Sequence, residues 1–179
     1  GTACFMRSWK GLADFLKAAH FLRDHKKIKW VIIGGGHAQV YHAQAQALQL
    51  ENIVHFTGHL TNPFPALAAL DAFALLSTAH EGVSQASLQA AYLAKPLITT
   101  AIGGLAEVCR HNQTGFIVAP FAYQEVAQAV LQLQKEPFLR QQMGLAAKTL
   151  VENQFTQEQM LDKMEAIYKE KSWRKLLDK

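Results

Sequence analysis

Two spacings of apolar residues alternate along the chain. Short runs that are almost wholly apolar are typical of strands buried in a parallel sheet, whereas apolar residues at every third or fourth position are typical of helices. The predicted strands are residues 2–6, 28–33, 53–56, 72–76, 97–100 and 116–118. Because helical segments separate them, the sequence predicts an α/β fold, a doubly wound parallel sheet of about six strands with helices on both faces.

The helical segments complete this pattern. The predicted helices outside the central segment are residues 11–26, 38–50, 63–70, 105–109, 124–135, 138–151 and 156–179. In the last of them, Thr156 and Gln159 have the spacing of a capping box. A stripe at helical spacing that includes two methionines follows, and we interpret most of it as core. Its residues are Met160, Met164, Ile167 and Lys171.

The central segment, residues 72–96, reads as strand, loop and helix. Residues 72–76 are the predicted strand, and Ser84 can cap the following helix because its hydroxyl accepts from free backbone N–H groups. The helix is expected to end near Ala94, since Pro96 disfavours a helical residue before it. Glu81 therefore lies in a loop at the carboxyl end of a strand, where open α/β sheets bind ligands.

The spacing of Glu81, Ser84 and Gln89 suits a ligand of several parts. A helix start at Ser84 offers unpaired N–H groups and a positive dipole end to a phosphate. Gln89 lies roughly 7–8 Å further along the helix axis, which is about the span from a diphosphate to a ribose. The segment could therefore contact the sugar, diphosphate and ribose of a sugar nucleotide. From this segment alone, an ordinary strand–loop–helix unit with a solvated Glu81 is an equal alternative.

Polar residues and glycines also follow the first two predicted strands. Arg7 and Lys10 can hold a diphosphate, one as a fork and one as a point charge, and a solvated pair of cations is the alternative. Three glycines at residues 34–36 allow a tight turn or a close approach to a ligand. They are not the dinucleotide fingerprint, because its third glycine would fall at Gln39.

Composition and charge exclude several functional classes. The chain has 179 residues, half of them hydrophobic, which suits one domain, and its net charge of +4 does not argue for nucleic acid. Two cysteines, Cys4 and Cys109, make no disulfide framework and favour a reducing cytosol. No histidines or cysteines have zinc-ligand spacing, so no metal site is predicted. No apolar run is long enough for a membrane span, and no signal peptide is visible.

The chain resembles the donor-site signature of the retaining GT-B glycosyltransferases of family 4, the group 1 transferases. That family carries a glutamate, seven residues and a second glutamate, and the pair here is Glu81 and Gln89. It continues with a lysine- or glycine-proline, a threonine-rich strand, a Gly-Gly, a glutamate and a Thr-Gly. The corresponding residues here are Lys95-Pro96, Thr99-Thr100, Gly103-Gly104, Glu107 and Thr114-Gly115. The resemblance runs from Arg7 to Tyr168, and the ordered set makes it specific.

The resemblance implies roles for individual residues. Arg7, Lys10 and Glu81 would be the catalytic residues, because the two cations hold the diphosphate and the glutamate hydrogen-bonds sugar hydroxyls. His59 would border the nucleotide base, and Gln89 would bind ribose hydroxyls, although a charged acceptor is lost there. The full set of donor-binding residues would be Gly35, His59, Gly82, Val83, Ser84, Gln85 and Gln89.

The resemblance also implies a fold and a function. Residues 1–179 would form a single Rossmann-like sugar-nucleotide-binding domain, one half of a GT-B fold. It would bind the donor of a retaining, metal-independent glycosyltransferase of hexosyltransferase type, which uses a nucleoside diphosphate sugar as donor substrate and no cofactor. The expected setting is synthesis of surface polysaccharide or glycan in the cytoplasm, at the inner face of the membrane.

The implied partners are the nucleotide sugar and a missing amino-terminal acceptor domain. Residues 156–179 would form a terminal helix that docks on that domain, which accounts for three residues beyond what a small domain buries: Trp173, Leu176 and Leu177. Without the acceptor domain, the isolated chain is expected to be inactive. Peripheral membrane contact of the full-length protein is a further expectation, and no nucleic acid partner is expected.

Two alternatives remain open at this point. The first is a non-catalytic nucleotide-sensing or interaction domain of the same fold, which Gln89 in place of glutamate supports. The second, with less support, is half of a sugar-nucleotide epimerase. Turnover by a full-length protein separates a transferase from the first alternative, and the product, a transferred or a rearranged sugar, separates it from the second.

Overall fold

The structure, a computed structural model, describes residues 1–170 and contains six short strands separated by helices. The strands are β1 (Thr2–Ala3), β2 (Trp30–Ile33), β3 (Val54–Gly58), β4 (Phe73–Leu75), β5 (Leu97–Thr99) and β6 (Gly115–Ile117). The helices are α1 (Leu12–Phe21), α2 (Ala38–Ala47), α3 (Phe64–Ala68), α4 (Gln85–Tyr92), α5 (Leu105–Val108), α6 (Tyr123–Lys135), α7 (Pro137–Gln154) and α8 (Gln157–Glu170). A 3-10 turn, Ser8–Lys10, precedes α1.

The strands form two three-stranded parallel sheets that meet at β1 and β4. Their orders are β1-β2-β3 and β4-β5-β6. At the junction the Gly1 amino group donates to Ala72 O at 2.9 Å, and Ala74 N donates to Gly1 O at 2.8 Å. The strands therefore lie in the order β3-β2-β1-β4-β5-β6, which is the predicted doubly wound arrangement. Regular pairing stops between β1 and β4, although the same β1 pairs with β2 through Thr2 and Ala3.

Strands β2, β4, β5 and β6 each contribute to two hydrophobic cores, because successive side chains point to opposite faces. In β4, Phe73 and Leu75 pack in one core and Ala74 in the other. Helices α1, α2 and α6 and the first half of α7 cover the face that holds Ala74, whereas α3, α4, α5 and the second half of α7 cover the face that holds Phe73. Helices on both faces confirm the predicted fold class.

Helix α1 shows how the apolar spacing produces this packing. Phe15 and Leu16 are at most 1% exposed, and the Phe15 ring meets Trp30 of β2 edge-on, with 4.8 Å between ring centroids. The helix ends at Phe21 rather than at residue 26. The reason is that residues 23–27 are all charged or polar and offer no apolar side chain to the core.

The start of α8 confirms the predicted capping box. Thr156 N donates to Gln159 Oε1, and Gln159 N donates to Thr156 Oγ1, both at 3.3 Å. Two backbone N–H groups that lack intrahelical partners are thereby satisfied by side chains. A signal confined to four neighbouring residues is thus sufficient to place this helix end.

The prediction that the apolar stripe of α8 is mostly core is wrong. Met160, Met164 and Ile167 are 51, 42 and 52% exposed. Helical spacing identifies an apolar face, but it does not say which surface that face packs against. No helix within residues 1–170 has the length and hydrophobicity that crossing a membrane requires. The predictions for Lys171, Trp173, Leu176 and Leu177 lie outside the described residues.

Replacing Phe15 by alanine is expected to destabilise the fold by about 3–5 kcal/mol, because it leaves a cavity between α1 and Trp30. Phe138→Ala is the matched control, since Phe138 is 79% exposed. The control should change the free energy of unfolding by less than about 0.5 kcal/mol. Urea unfolding measures both values, and equal losses would contradict the packing described for α1.

Candidate functional site

The carboxyl ends of β1 and β4 lie side by side at the centre of the strand order. From β1 the chain continues to β2 on one side, and from β4 it continues to β5 on the other. In open α/β sheets such a reversal opens a crevice outside the strand ends, where ligands bind. Two segments border the crevice here, residues 4–11 after β1 and residues 76–84 after β4.

Backbone contacts hold these two segments together. Thr78 N donates to Trp9 O at 2.7 Å. Gly11 has a left-handed φ of 68°, and a Cβ at this position would lie 2.0 Å from Leu76 O. A residue with a side chain cannot take this place without moving the backbone. The close approach fixes the 3-10 turn that carries Lys10 beside the loop that carries Glu81.

Lys10 and Glu81, two of the predicted catalytic residues, form an ion pair between the two segments. Lys10 Nζ donates to Glu81 Oε2 at 2.8 Å and to Oε1 at 3.0 Å. The Ser77 hydroxyl also donates to Oε2. The side chains of Lys10 and Glu81 are 18% and 7% exposed, so water screens this pair less than it would screen a surface pair.

The turn after β5 packs closely against the backbone of the loop that carries Glu81. Gly103 has a φ of 56°, and a Cβ at this position would lie 1.6 Å from Glu81 O. A Cβ at Gly104 would lie 2.7 Å from Val83 N. The Gly-Gly that the sequence suggests as a turn therefore has a second role, because it lets β5 approach the backbone of the loop.

Ser84 caps α4 as predicted. Its backbone is extended, and its hydroxyl accepts from Ser87 N at 3.3 Å. The N–H groups of Gln85 and Ala86 come before the first intrahelical partner, so the helix start retains donors for an anion. The start of α4 thus faces the same strand end as the ion pair.

The other predicted residues of this segment share the strand–loop–helix unit of Glu81. Gly82, Val83 and Gln85 are exposed around the helix start. Gln89 is partly buried further along α4. The structure thereby places the helix start at Ser84, predicted to bind phosphate, and Gln89, predicted to bind ribose, on one short helix. Their roles remain predictions.

Arg7 lies on the same segment as Lys10 but outside the ion pair. Its guanidinium is over the rings of Phe5 and Trp9, 5.2 and 5.1 Å from their centroids. Trp9 in turn meets His80 edge-on, with 5.5 Å between ring centroids. A row of ring contacts therefore links Arg7, which is exposed, to the residue that precedes Glu81.

Gly35 and His59 come from the loops after β2 and β3. Met6 N donates to Gly35 O at 2.7 Å, which joins Gly35 to the segment that carries Arg7. His59 is adjacent, because a Cβ at Gly35 would lie 3.6 Å from His59 Cβ. Both residues therefore lie at the carboxyl edge of the sheet, on the β2 and β3 side of the crevice.

Cys4 is a free cysteine in the segment after β1. Burial raises the pKa of its thiol to about 11, the charge of Lys10 opposes this rise, and the charge of Glu81 adds to it. The thiol is therefore protonated at neutral pH, and a protonated thiol is a poor nucleophile. Cys4 packs against both cores as a small apolar side chain.

Sequence reasoning missed three residues of this site. Ser77 is the first polar residue after the apolar run of β4, a position that could have marked it. Trp9 stands between the two predicted cations, which is also a usable signal. His80 has a left-handed φ of 52°, for which the sequence offers no sign. Within the described residues, no three His, Cys, Asp or Glu side chains are grouped as metal ligands.

A cavity of about 290 Å³ lies at the opposite end of the strands. Trp30 and Phe73, the first residues of β2 and β4, line it together with Leu70. Since the candidate site is built from residues that follow the strands, this cavity is separate from it.

The chain is similar in sequence to a known protein family and to characterised relatives. A profile of the family described as Glycosyl transferases group 1 matches residues 6–150. N-acetyl-alpha-D-glucosaminyl L-malate synthase of Bacillus anthracis is 30% identical over 163 residues, which cover 90% of this chain and 42% of that protein. The chain thus spans less than half the length of this relative.

Solved structures share the fold. Alr3699/HepE of Anabaena in complex with UDP has a TM-score of 0.82 at 22% identity, over 92% of this chain and 48% of that one. The same protein has also been solved with UDP-glucose. The C-terminal domain of LpcC, a group 1 family glycosyl transferase of Francisella tularensis, has a TM-score of 0.78 at 22% identity, over 87% of this chain and 85% of that one.

Lys10→Met is expected to destabilise the fold by about 1–3 kcal/mol. The reason is that the nearly buried Glu81 carboxylate then keeps only the neutral Ser77 hydroxyl as a side-chain donor. Lys148→Met is the matched control, since Lys148 and Glu152 form an exposed pair at i,i+4. Its loss should stay below about 0.5 kcal/mol. Adding Glu81→Gln to Lys10→Met should recover part of the loss, because the unpaired charge is gone. Urea unfolding compares the variants, and equal losses at positions 10 and 148 would disprove a sheltered pair.

Proposed function

Because this chain belongs to the group 1 family of glycosyl transferases, we propose that it binds the nucleotide-sugar donor of an enzyme that transfers a sugar to an acceptor. The observation that carries the proposal is the Lys10–Glu81 pair where the strand order reverses between β1 and β4. That UDP is bound in Alr3699/HepE, which shares the fold, supports a nucleoside diphosphate as the ligand.

The diphosphate would bind where positive charge converges. Lys10 supplies a point charge, Arg7 supplies a fork, and the start of α4 supplies backbone N–H groups. Glu81 would accept hydrogen bonds from sugar hydroxyls, and Gln89 would bind the ribose. Gly35 and His59 would border the base, and the exposed Gly82, Val83 and Gln85 would line the donor between sugar and phosphate.

Lys10 has to change partner for this assignment to hold. In the structure both of its short contacts go to Glu81. A diphosphate carries more charge than a carboxylate and would compete for the ammonium group. Lys10 can turn toward it because the lysine stem is flexible and keeps some exposure. Donor binding would thereby release Glu81 for the sugar.

The transfer step would break the bond between the anomeric carbon and the adjoining phosphate oxygen, and that oxygen would keep the electron pair. The acceptor oxygen would form the new bond to the anomeric carbon and lose its proton. The products are then a glycosylated acceptor, a nucleoside diphosphate and a proton. Arg7, Lys10 and the α4 dipole would stabilise the charge on the leaving diphosphate. We propose retention of anomeric configuration and no metal requirement from the family resemblance.

The remaining assignments concern the protein as a whole. An amino-terminal domain would bind the acceptor, and the exposed stripe on α8 that includes Met160 and Met164 would dock on it. A lone donor half cannot hold both substrates in reacting geometry or exclude water, so the isolated chain would bind donor without transferring sugar. We propose a hexosyltransferase of surface polysaccharide or glycan synthesis, cytoplasmic and at the inner face of the membrane.

Gln89 favours a second candidate function. A glutamine in place of the second glutamate lacks the charge that strengthens hydrogen bonds to ribose hydroxyls. A nucleotide-sensing domain that has lost catalysis would tolerate this loss. Turnover of a nucleotide sugar by the full-length protein would eliminate this candidate.

A melting screen against UDP, GDP, ADP, CMP and their sugar conjugates is expected to single out one nucleoside diphosphate. A ligand at about 100 times its dissociation constant stabilises the folded state by ~2.7 kcal/mol. For a chain of this size the melting temperature should rise by roughly 5–10 °C. If the folded protein responds to no nucleotide, the donor-binding proposal is wrong.

Arg7→Ala and Lys10→Ala are each expected to weaken binding of that diphosphate by roughly 1.5–3 kcal/mol, the value for a hydrogen bond to a charged group. Binding of the nucleoside without phosphate should barely change. Lys148→Ala, which removes an exposed cation, is the control. Calorimetric titration of folded variants measures the affinities, and equal losses for nucleoside and diphosphate would refute the phosphate role.

A further inference from the structure

Glu81 has two hydrogen-bond donors of different kinds. Lys10 contacts both carboxylate oxygens, and the Ser77 hydroxyl contacts Oε2. Lys10 is charged and flexible, whereas Ser77 is neutral and on a short side chain. If Lys10 turns to bind a diphosphate, the Glu81 carboxylate keeps its hydrogen bond from the Ser77 hydroxyl.

Ser77 is held in place by its surroundings. It is fully buried, and its carbonyl accepts from the Thr100 hydroxyl at 2.6 Å. This bond joins the carboxyl ends of β4 and β5, so the Ser77 backbone is fixed by two strands rather than by the loop. The Ser77 hydroxyl therefore approaches Glu81 from a rigid part of the molecule.

We propose that Ser77 is a positioning residue that orients the Glu81 carboxylate toward the sugar of the donor. The inference rests on the proposed function, since it concerns the same site. A neutral hydroxyl suits this task because it cannot be drawn away by a diphosphate as an ammonium group can. A nearly buried carboxylate without such a donor would turn toward water or stay with Lys10.

The proposal predicts different effects of Ser77 on the sugar and on the diphosphate of the donor. Ser77 acts through Glu81 on the sugar and does not touch the diphosphate. Loss of its hydroxyl should therefore weaken binding of UDP-glucose and leave binding of UDP nearly unchanged. A residue that only supports the fold would affect both ligands alike.

The test is calorimetric titration of the 179-residue chain with UDP and UDP-glucose, or with the matching pair that the melting screen selects. Ser77→Ala should weaken UDP-glucose binding by about five- to tenfold and UDP binding by less than about twofold. Thr99→Val is the control, because it also removes a buried hydroxyl, from β5. It should leave both affinities nearly unchanged. Ser77→Cys, which is of similar size and a weaker donor, should give an intermediate loss.

A double-mutant cycle tests whether Ser77 acts on UDP-glucose binding through Glu81. In a Glu81→Ala background, Ser77→Ala should cause no further loss of UDP-glucose affinity, because no carboxylate remains to be oriented. A loss that persists in that background, or equal losses for UDP and UDP-glucose, would overturn the positioning role while leaving the donor site intact. If the unmodified chain binds neither nucleotide, the proposed function fails and this role fails with it.

Discussion

The ion pair between Lys10 and Glu81 is the constraint on which the rest of the site depends. Two charges largely removed from water are tolerated only where they meet, so the segments after β1 and β4 must keep one relative position. Close backbone contacts secure that position, Gly11 against Leu76 on one side and Gly103 against the Glu81 backbone on the other. The parallel sheet provides the frame, because its strands deliver both segments to one edge.

Much of the fold could be predicted because its signals are local. The Ser84 cap and the Thr156–Gln159 capping box each depend on four neighbouring residues, and both are confirmed. Two features escaped prediction because they depend on distant parts of the chain. Apolar spacing could not show that Met160 is exposed, and it could not show that regular pairing stops between β1 and β4.

The candidate site, like the fold, could be predicted only in part from the sequence. Family motifs select Lys10 and Glu81, and the doubly wound order explains why residues 71 positions apart meet. Ser77 and Trp9 were missed although their positions in the sequence could have marked them, because their importance comes from what they contact, and the sequence offered no sign for His80. Ser77 matters through one carboxylate oxygen, and Trp9 through its ring contacts with Arg7 and His80.

Gly103 also limits which parts of the candidate site can vary. Its packing leaves no room for a side chain, so the backbone position of Glu81 is set by main-chain atoms. The side chain of Gln85 is exposed at the helix start, whereas Val83 packs against Gly104. Substitution is therefore easier at position 85 than in the backbone that carries the charged centre. The architecture thereby separates a rigid charged centre from a more tolerant rim.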